Sequence, residues 1–512
     1  MKEKDELTKN TNGFFSRFLN FIEKTGNALP HPATLFLILA LLALVFSWLA
    51  SLMGTEAINP VTGETIRPFN LLSTEGLHLI FDGMVDNFTG FAPLGIVLVA
   101  MLGIGIAESS GLIGALIRML VLSAPRRMLT FVLVLSGILS NTASDVGYVL
   151  LIPLAGVIFM AVGRNPIAGM AAAFAGVSGG FSANILLGTI DPLLAGLSTE
   201  AAEIIDPDYY VNPTANYYFM FVSTFFIAFA GTFVTERIVE PRLGKYSGDV
   251  KGQDVERLNK KEKRGLLYTL IAVIIIILIV MWGTIPQNGF FRPENGSLLH
   301  SPLIKDVIAF LFLGAGFTGL AYGFGSGNFK NDTDVMNGMR DSIKSLSMYI
   351  VLVFFAAQFV AYFKLSNLGV IMAIKGATLI SSSGIGLIPL MIMFIILSAS
   401  INMLMGSASA KWAILAPIFI PMFMLMGYSP ELSQVVYRIG DSVTNIISPM
   451  MSFFALIIAY FQKYDQKSGI GTIIATMLPY SIVFFIVWTL LIVAWLYLGL
   501  PLGPDAGIHY VN

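Results

Sequence analysis

The 512-residue chain has no cysteine, four histidines and few charges. Without thiols, disulfides, thiolate metal sites, Fe–S clusters and cysteine nucleophiles are excluded. His31, His78, His300 and His509 fall near segment ends, so a histidine metal cage is not expected. Charged residues make up 12% of the chain, against about 25% in a typical soluble domain. That is too little to solvate the surface of a soluble protein of this length. A formal net charge of −1 gives no field to attract nucleic acid. No Walker A or dinucleotide fingerprint is present, and Gly103-x-Gly105 does not continue as G-x-G-x-x-G. What the chain does have is 56% hydrophobic residues and a mean hydropathy of +0.79. It reads as an all-α polytopic membrane protein, not a soluble enzyme.

A spanning helix needs about 20 mainly apolar residues. Windows 33–53, 217–235, 266–282, 307–322, 348–362 and 473–498 qualify most plainly, and 166–197 and 431–461 do so with small and polar interruptions. Residues 77–122 carry Asp82 and Asp86 early on, and read as an amphipathic interfacial turn followed by one crossing. Two further apolar stretches break in the middle: 128–160 at Ser140-Asn141-Thr142-Ala143-Ser144-Asp145, and 387–426 at Asn402 and Gly406-Ser407-Ala408-Ser409-Ala410-Lys411. Irregular backbone is not tolerated against lipid, so each reads as a re-entrant helical hairpin. The expectation is nine transmembrane helices plus two hairpins.

Charge sets the orientation. With the N-terminus inside, 23 of the 30 Lys and Arg lie on the cytoplasmic side, nine of them within 237–264. The opposite loop 198–210 has none, but carries Glu200, Glu203, Asp206 and Asp208. The chain is thus expected in a cell (inner) membrane, N-terminus cytoplasmic and C-terminus outside. Phe14, Phe18 and Ile22 recur at helical spacing among mixed charges, which predicts a short interfacial helix and not a cleaved signal.

A shift of 264 residues aligns Pro153 with Pro417, Gly163 with Gly427, Pro166 with Pro430 and Gly176 with Gly440. Each copy reads hairpin, tight turn, interrupted helix. The expected organisation is an interfacial segment to residue 32, a first repeat over 33–240, a basic loop 241–264, a linking crossing 265–285 and a second repeat over 303–498. Hairpins fall at about 126–161 and 385–426, interrupted helices at about 165–198 and 430–462. An odd number of crossings between the copies makes them inverted, as in many secondary transporters.

Ionisable residues at bilayer depth cost about 2.5–3.5 kcal/mol on insertion scales and are functional by default. Asp145, Asp191, Lys411, Arg438 and Asp441 are the candidates. Arg438 and Asp441 are three apart on one helix face, which allows an internal salt bridge. It equally allows Arg438 to hold an anionic substrate group, with Asp441 taking a proton or helping to hold a cation. Ser140-Asn141-Thr142 and Ser178-Gly179-Gly180-Phe181-Ser182-Ala183-Asn184, with Asn445 in the second copy, are poor helix. Unwound backbone there would expose carbonyls to Na⁺, near Ser140, Asn141 and Asn184. Trp412, beside Lys411, would either stack on a substrate ring or anchor the interface.

Several blocks resemble the AbgT family, the p-aminobenzoyl-glutamate transporters of the ion-transporter superfamily. They are Lys24-Thr-Gly-Asn-Ala-Leu-Pro-His-Pro32, Asn59-Pro-Val-Thr-Gly-Glu-Thr-Ile66, Asn70-Leu-Leu-Ser73 and the segments 140–145, 178–191 and 407–441. The resemblance implies a homodimer of nine-span protomers with two hairpins. It also implies transport of p-aminobenzoyl-glutamate, or export of sulfonamides, which mimic p-aminobenzoate. The family's important positions fall on Asp191, Asn402, Ser409, Trp412, Pro430, Arg438 and Asp441. The substrate expected is small, aromatic and anionic, bound by Asn141, Asn402, Ser409, Trp412, Pro430 and Arg438. Coupling to H⁺ or Na⁺ would use Asp145, Asn184, Asp191, Asp441 and Asn445, with no other cofactor. Superfamily analogy implies an elevator-like motion of the hairpin domain. An intramembrane aspartyl protease fits poorly, since Arg438-Ile-Gly-Asp441 lacks the Gly-x-Gly-Asp signature; a channel is the remaining alternative.

Overall fold

Helix starts follow the polar and proline punctuation. Pro32 opens α1 (Pro32–Leu52), where its missing N–H costs nothing, and the His31 side chain accepts from the Ala33 amide. This helix buries Ala33, Phe36, Ala40, Ala43 and Ser47, alternate steps of three and four that make one face, and exposes Leu41, Phe46 and Trp48 to lipid. The structure, a computed structural model, describes residues 30–58, 63–142, 146–248, 250, 257–286, 288–292 and 301–510. The expected N-terminal interfacial helix and Asp145 lie outside these residues.

A two-residue hairpin, β1 (Ala57–Ile58) with β2 (Thr65–Ile66), follows α1. Then come α2 (Thr74–Thr89), α3 (Ala92–Ser109), α4 (Leu112–Leu122), α5 (Leu129–Ser140), α6 (Ile152–Ala161), α7 (Pro166–Phe174), α8 (Ile190–Ala202) and α9 (Tyr217–Val234). After α10 (Lys260–Thr284) the chain forms α11 (Val307–Ser326), α12 (Asp332–Ser345), α13 (Ser347–Leu365), α14 (Leu368–Ser382) and α15 (Leu387–Asn402). It ends with α16 (Ala408–Leu425), α17 (Pro430–Asn445), α18 (Phe454–Gln462) and α19 (Ile470–Tyr497).

Eight stretches among the described residues are long and apolar enough to cross a bilayer: Pro32–Leu52, Thr74–Ser109, Tyr217–Leu243, Lys260–Thr284, Val307–Ser326, Ser347–Leu365, Ala408–Leu425 and Ile470–Tyr497. Leu112–Leu122 with Arg126–Ser140, bent by 114°, makes a ninth if the pair is one span. The apolar sides of α10 face outward, exposing Leu267, Leu270, Ile274 and Leu278. The chain is an all-α polytopic membrane protein.

Three details differ from the sequence expectation. The expected turn within residues 77–122 is helical: the stretch holds parts of α2, α3 and α4, with Gly90 capping the end of α2 and Gly111 the start of α4, and α2 with α3 makes one of the eight apolar stretches. The amphipathic α12 and the short α14 were not expected at all. Helix α8 also runs on to Ala202, past the expected loop start at 198.

Paired by number, α1 with α11 through α9 with α19, the helices named here can be laid out as two sets of nine with α10 between them. Packing follows the correspondence, with α1 against α13 and its counterpart α11 against α3. The aligned glycines and prolines do matching work. Gly163 and Gly427 have φ of +80° and +84°, left-handed turns that suit glycine. Pro166 and Pro430 start α7 and α17, capped by Asn165 and Ser429. A Cβ at Gly176 would lie 2.3 Å from the Val134 carbonyl on α5, and one at Gly440 would lie 2.4 Å from the Ile395 carbonyl on α15. Both glycines let an interrupted helix cross a broken pair at backbone contact.

The breaks meet near the middle. Helix α7 runs through a π-helical turn, Ala175–Gly179, and the chain becomes helical again only at Ile190. Helix α17 ends at Asn445 and α18 begins at Phe454. The Asn445 side chain donates to the Ser178 carbonyl at 3.4 Å, joining the two breaks. At one end of the bundle residues 501–510 fold back as a strap: the Ser429 amide donates to Ile508 O, the Tyr510 amide to Gly427 O, and the Tyr218 amide to Leu502 O.

Candidate functional site

Helix α17 is an unusual helix for a membrane protein, because it is polar and buried along nearly its whole length. Glu431, Gln434, Arg438, Asp441 and Asn445 follow one another at steps of three and four, so they form one stripe. Each is buried. Burying so many polar groups is tolerable only where each finds a partner, and the partners come from α8, α15, α16 and the segment between α8 and α9.

Arg438 does not bridge to Asp441. Its Nη1 lies 2.7 Å from Asp191 Oδ1, at the start of α8. Asp441 Oδ1 instead lies 2.5 Å from Lys411 Nζ, in the first turn of α16. All four side chains are at most 2% exposed. The intrahelical pair suggested by the spacing is therefore replaced by two cross-helix pairs. Helical neighbours on the stripe lie near enough to interact, but both point their heads toward carriers of opposite charge on other helices. Asp191 Oδ2 also accepts from the Gly188 amide at 2.6 Å, which fixes the carboxylate at the end of the α7–α8 break. Although Nη1 and Oδ1 are close, their orientation makes no aligned hydrogen bond, and Arg438 Nε has no hydrogen-bond partner among the described residues either. The guanidinium is neutralised but not saturated.

Asn402, the last residue of α15, ties the second pair down. Its Nδ2 donates to Asp441 O at 2.6 Å, Thr444 Oγ1 at 2.9 Å and Asn445 Oδ1 at 2.8 Å, and its Oδ1 accepts from Lys411 Nζ. Ser409 Oγ shares a hydrogen with Ser407 Oγ at 3.3 Å, in the turn where Ser407 caps α16. Pro430 lies away from the ion pairs and serves as the first residue of α17.

Trp412 is fully buried, so the interfacial-anchor reading fails. Its ring stacks on Tyr437 with centroids 4.5 Å apart and planes 23° apart. In this arrangement one face is occupied by a protein ring. The indole Nε1 donates to Ser198 Oγ at 2.9 Å, Ser198 donates to Gln434 Oε1 at 2.7 Å, and Gln434 Nε2 donates to Asn216 Oδ1 at 2.9 Å.

The first break is less committed. Asn184 Nδ2 donates to Thr142 Oγ1 at 3.2 Å, while its Oδ1 accepts from the Ile185 and Leu186 amides. Ser140 Oγ bonds back to Gly137 O at 2.6 Å, the self-satisfied role common for membrane serines. Asn141 Nδ2 is buried and has no partner among the described residues. The structure thus brings Asp191, Asn402, Lys411, Trp412, Arg438, Asp441 and Asn445 into one connected cluster. Ser140, Asn141 and Asn184 stand at the neighbouring break, Ser409 and Pro430 at its edges. Ser198, Asn216, Gln434, Tyr437 and Glu431 are the members that sequence reading missed. The three–four spacing along 431–445 was the signal that could have found Glu431 and Gln434.

A sequence model of the AbgT putative transporter family matches residues 17–510. The chain belongs to the AbgT family. Among AbgT relatives, the p-aminobenzoyl-glutamate transport protein of Escherichia coli K12 is 37% identical over 489 residues, covering 95% of this chain and 96% of that protein. Two solved structures share the fold. The YdaH transporter of Alcanivorax borkumensis superposes with a TM-score of 0.89 at 46% identity, covering 93% of this chain and all of that one. MtrF of Neisseria gonorrhoeae, from a class of antimetabolite efflux pumps, gives 0.90 at 48% identity, covering 96% of this chain and all of that one. AbgT membership makes the chain a transporter and removes the protease reading. The geometry agrees, since Asp191 and Asp441 are each paired with a base and not with each other.

Proposed function

We propose that this AbgT protein is a proton-coupled secondary transporter of aromatic carboxylates of the p-aminobenzoyl-glutamate kind. The observation that carries the proposal is the Arg438–Asp191 pair. A buried guanidinium held by one carboxylate oxygen, with Nε free, is a carboxylate site occupied by the protein's own carboxylate. Protonating Asp191 removes the internal anion and leaves Arg438 for a carboxylate of the substrate. One proton is then exchanged for one anionic contact, which is the stoichiometric link that coupling requires. Trp412 would offer its ring to the substrate once Tyr437 moves aside.

Proton coupling is favoured over Na⁺ by the state of the oxygens at the first break. Ser140 Oγ and Asn184 Oδ1 both already take part in protein hydrogen bonds. Asn184 Oδ1 already accepts from two amides, which leaves it no lone pair for Na⁺, although Ser140 Oγ is a donor here and keeps its own. The likeness to MtrF favours a second use of the same site, export of sulfonamide antimetabolites. We further read the two sets of helices as inverted repeats, α5–α6 and α15–α16 as the re-entrant hairpins, and the protein as a homodimer in the inner membrane, with its N-terminus cytoplasmic and C-terminus outside. In proteoliposomes, an imposed proton gradient should drive accumulation of labelled p-aminobenzoyl-glutamate, and Arg438→Ala should abolish it. Transport unaffected by collapsing both the H⁺ and the Na⁺ gradients would end the coupled mechanism.

A further inference from the structure

Five acidic or basic side chains are buried among the described residues: Asp191, Lys411, Glu431, Arg438 and Asp441. Four of them form the two ion pairs. Glu431 is the fifth, 5% exposed, and no basic side chain lies within ion-pairing distance of it among the described residues. Both its carboxyl oxygens lie near one hydroxyl, Tyr209 Oη, at 3.1 and 2.9 Å. The other donors beside the carboxyl are its own backbone amide and the Ser429 hydroxyl, whose hydrogen also serves Gly507 O, and none of the three carries a charge. Glu431 also lines a pocket of about 260 Å³, walled by Tyr210, Asn212, Lys305 and the strap residues Pro504, Asp505 and Ala506. That is room for several waters at about 30 Å³ each.

A buried charge without a counter-ion is costly, and such a group neutralises in preference to remaining charged. The first turn of α17 offsets part of that cost, since helix N-termini favour negative charge. Other groups act in both directions. Lys305 on one wall favours the anion, Asp505 on another opposes it. The Ser429 hydroxyl, beside Glu431, supports the anion too. Burial and the facing carboxyl push the Tyr209 phenol well above its ordinary value, so it stays a donor and does not titrate. Burial and the Asp206 carboxylate hold Tyr510 up at about 12. His509, on the same strap, packs against Tyr428. Glu431 is therefore the group in this pocket poised to gain and lose a proton.

Its position also connects it to the transport core. The Glu431 carbonyl accepts from Asn216 Nδ2 at 2.9 Å, and Asn216 accepts from Gln434. Gln434 in turn holds Ser198, which holds Trp412, the neighbour of Lys411. Arg438 lies seven residues on, two turns along the same stripe, about 10 Å away.

We propose that Glu431 is a proton-binding site on the strap side of the protein, loaded from the pocket, whose charge state biases the Arg438 and Asp441 ion pairs through α17 and the Asn216–Gln434–Ser198–Trp412 chain. The site's ligand is a proton from the aqueous phase on that side. The inference rests on the transport reading above and adds a second titrating group to it. The experiment uses full-length protein. Infrared difference spectra across a pH titration should contain a protonated-carboxyl band that Glu431→Gln removes. In proteoliposomes, uptake of labelled p-aminobenzoyl-glutamate should vary about tenfold per pH unit along one limb of its dependence on strap-side pH, and Glu431→Gln should flatten that limb. At any pH, Glu431→Gln should bind the substrate as the parent does at the low pH where Glu431 is protonated. Should the parent bind no p-aminobenzoyl-glutamate, the transport reading fails, while the infrared band still decides Glu431. A Glu431→Gln protein that keeps both the band and the limb overturns the proposal. If that variant does not fold, Tyr209→Phe is read instead: the proposal expects both signals to shift, and unchanged signals overturn it.

Discussion

Replacing Asp191 by asparagine tests whether the protein's own carboxylate stands in for the substrate's. The substitution keeps the shape and removes the charge that faces Arg438 at 2.7 Å. In the empty protein the buried guanidinium is then uncompensated, and breaking a buried pair from one side costs about 3–5 kcal/mol. The variant should unfold at a lower temperature in detergent. A substrate carboxylate arriving at Arg438 no longer has to displace an internal anion. It gains a charge-assisted bond worth about 1.5–3 kcal/mol that in the parent is largely cancelled by the bond it replaces. At about 1.4 kcal/mol per decade this tightens binding of p-aminobenzoyl-glutamate by about 10–100-fold. Calorimetric titration of the purified protein reads this directly, and the ligand-induced rise in unfolding temperature should be larger in the variant than in the parent. Proton-driven accumulation should nevertheless fall, because the group that exchanges the proton is gone. A folded Asp191→Asn protein that binds the substrate as weakly as Arg438→Ala would refute the reasoning: Asp191 would then be a partner of the ligand and not its competitor.

Lys411→Met and Asp441→Asn should each destabilise the protein by about 3–5 kcal/mol, and the double variant by clearly less than the sum, since it leaves no lone buried charge; a double-mutant cycle on thermal unfolding measures this. Gly440→Ala places a methyl group 2.4 Å from the Ile395 carbonyl and should cost about 1–3 kcal/mol or more, read as a drop in unfolding temperature. The chain has no cysteine, so single cysteines report orientation cleanly. Asp208→Cys should react with an impermeant maleimide on intact cells, and Arg340→Cys only after permeabilisation.

The architecture was legible where one physical cue acted alone. Long apolar windows gave the spans because the bilayer sets their length. The breaks were readable because Ser140-Asn141-Thr142 and Gly179-Gly180 cannot continue an apolar helix, and the helices do stop at Ser140 and Gly179. Helix α14 was missed since Gly369, Lys375 and Gly376 interrupt a run of only 15 residues, too short to announce itself. Yet the 264-residue shift that aligned Gly163 with Gly427 also maps α4 onto the same region. The identities of the charged residues were legible, but not their partners. Spacing along one helix reports which side chains share a face, and says nothing about which helix that face meets. Asp191 and Lys411 reach α17 through tertiary packing, so the one pairing that spacing allowed was the one the fold does not make.

That failure bears on how the site works. An Arg438–Asp441 bridge within one helix would travel with α17 and survive any movement of its neighbours. The pairs actually formed tie α17 to α8 through Asp191 and to α16 through Lys411. Relative motion of these helices must therefore break or exchange a buried ion pair. The cost of doing so unaided, about 3–5 kcal/mol for a charge left alone, holds the helices together. A proton on the aspartate, or a carboxylate delivered to the arginine, removes most of it. Buried ion pairs are poor adhesives compared with apolar packing, but unlike apolar packing they can be released by a proton. If coupling runs as proposed, placing them between helices instead of within one would make proton and substrate occupancy a condition for movement.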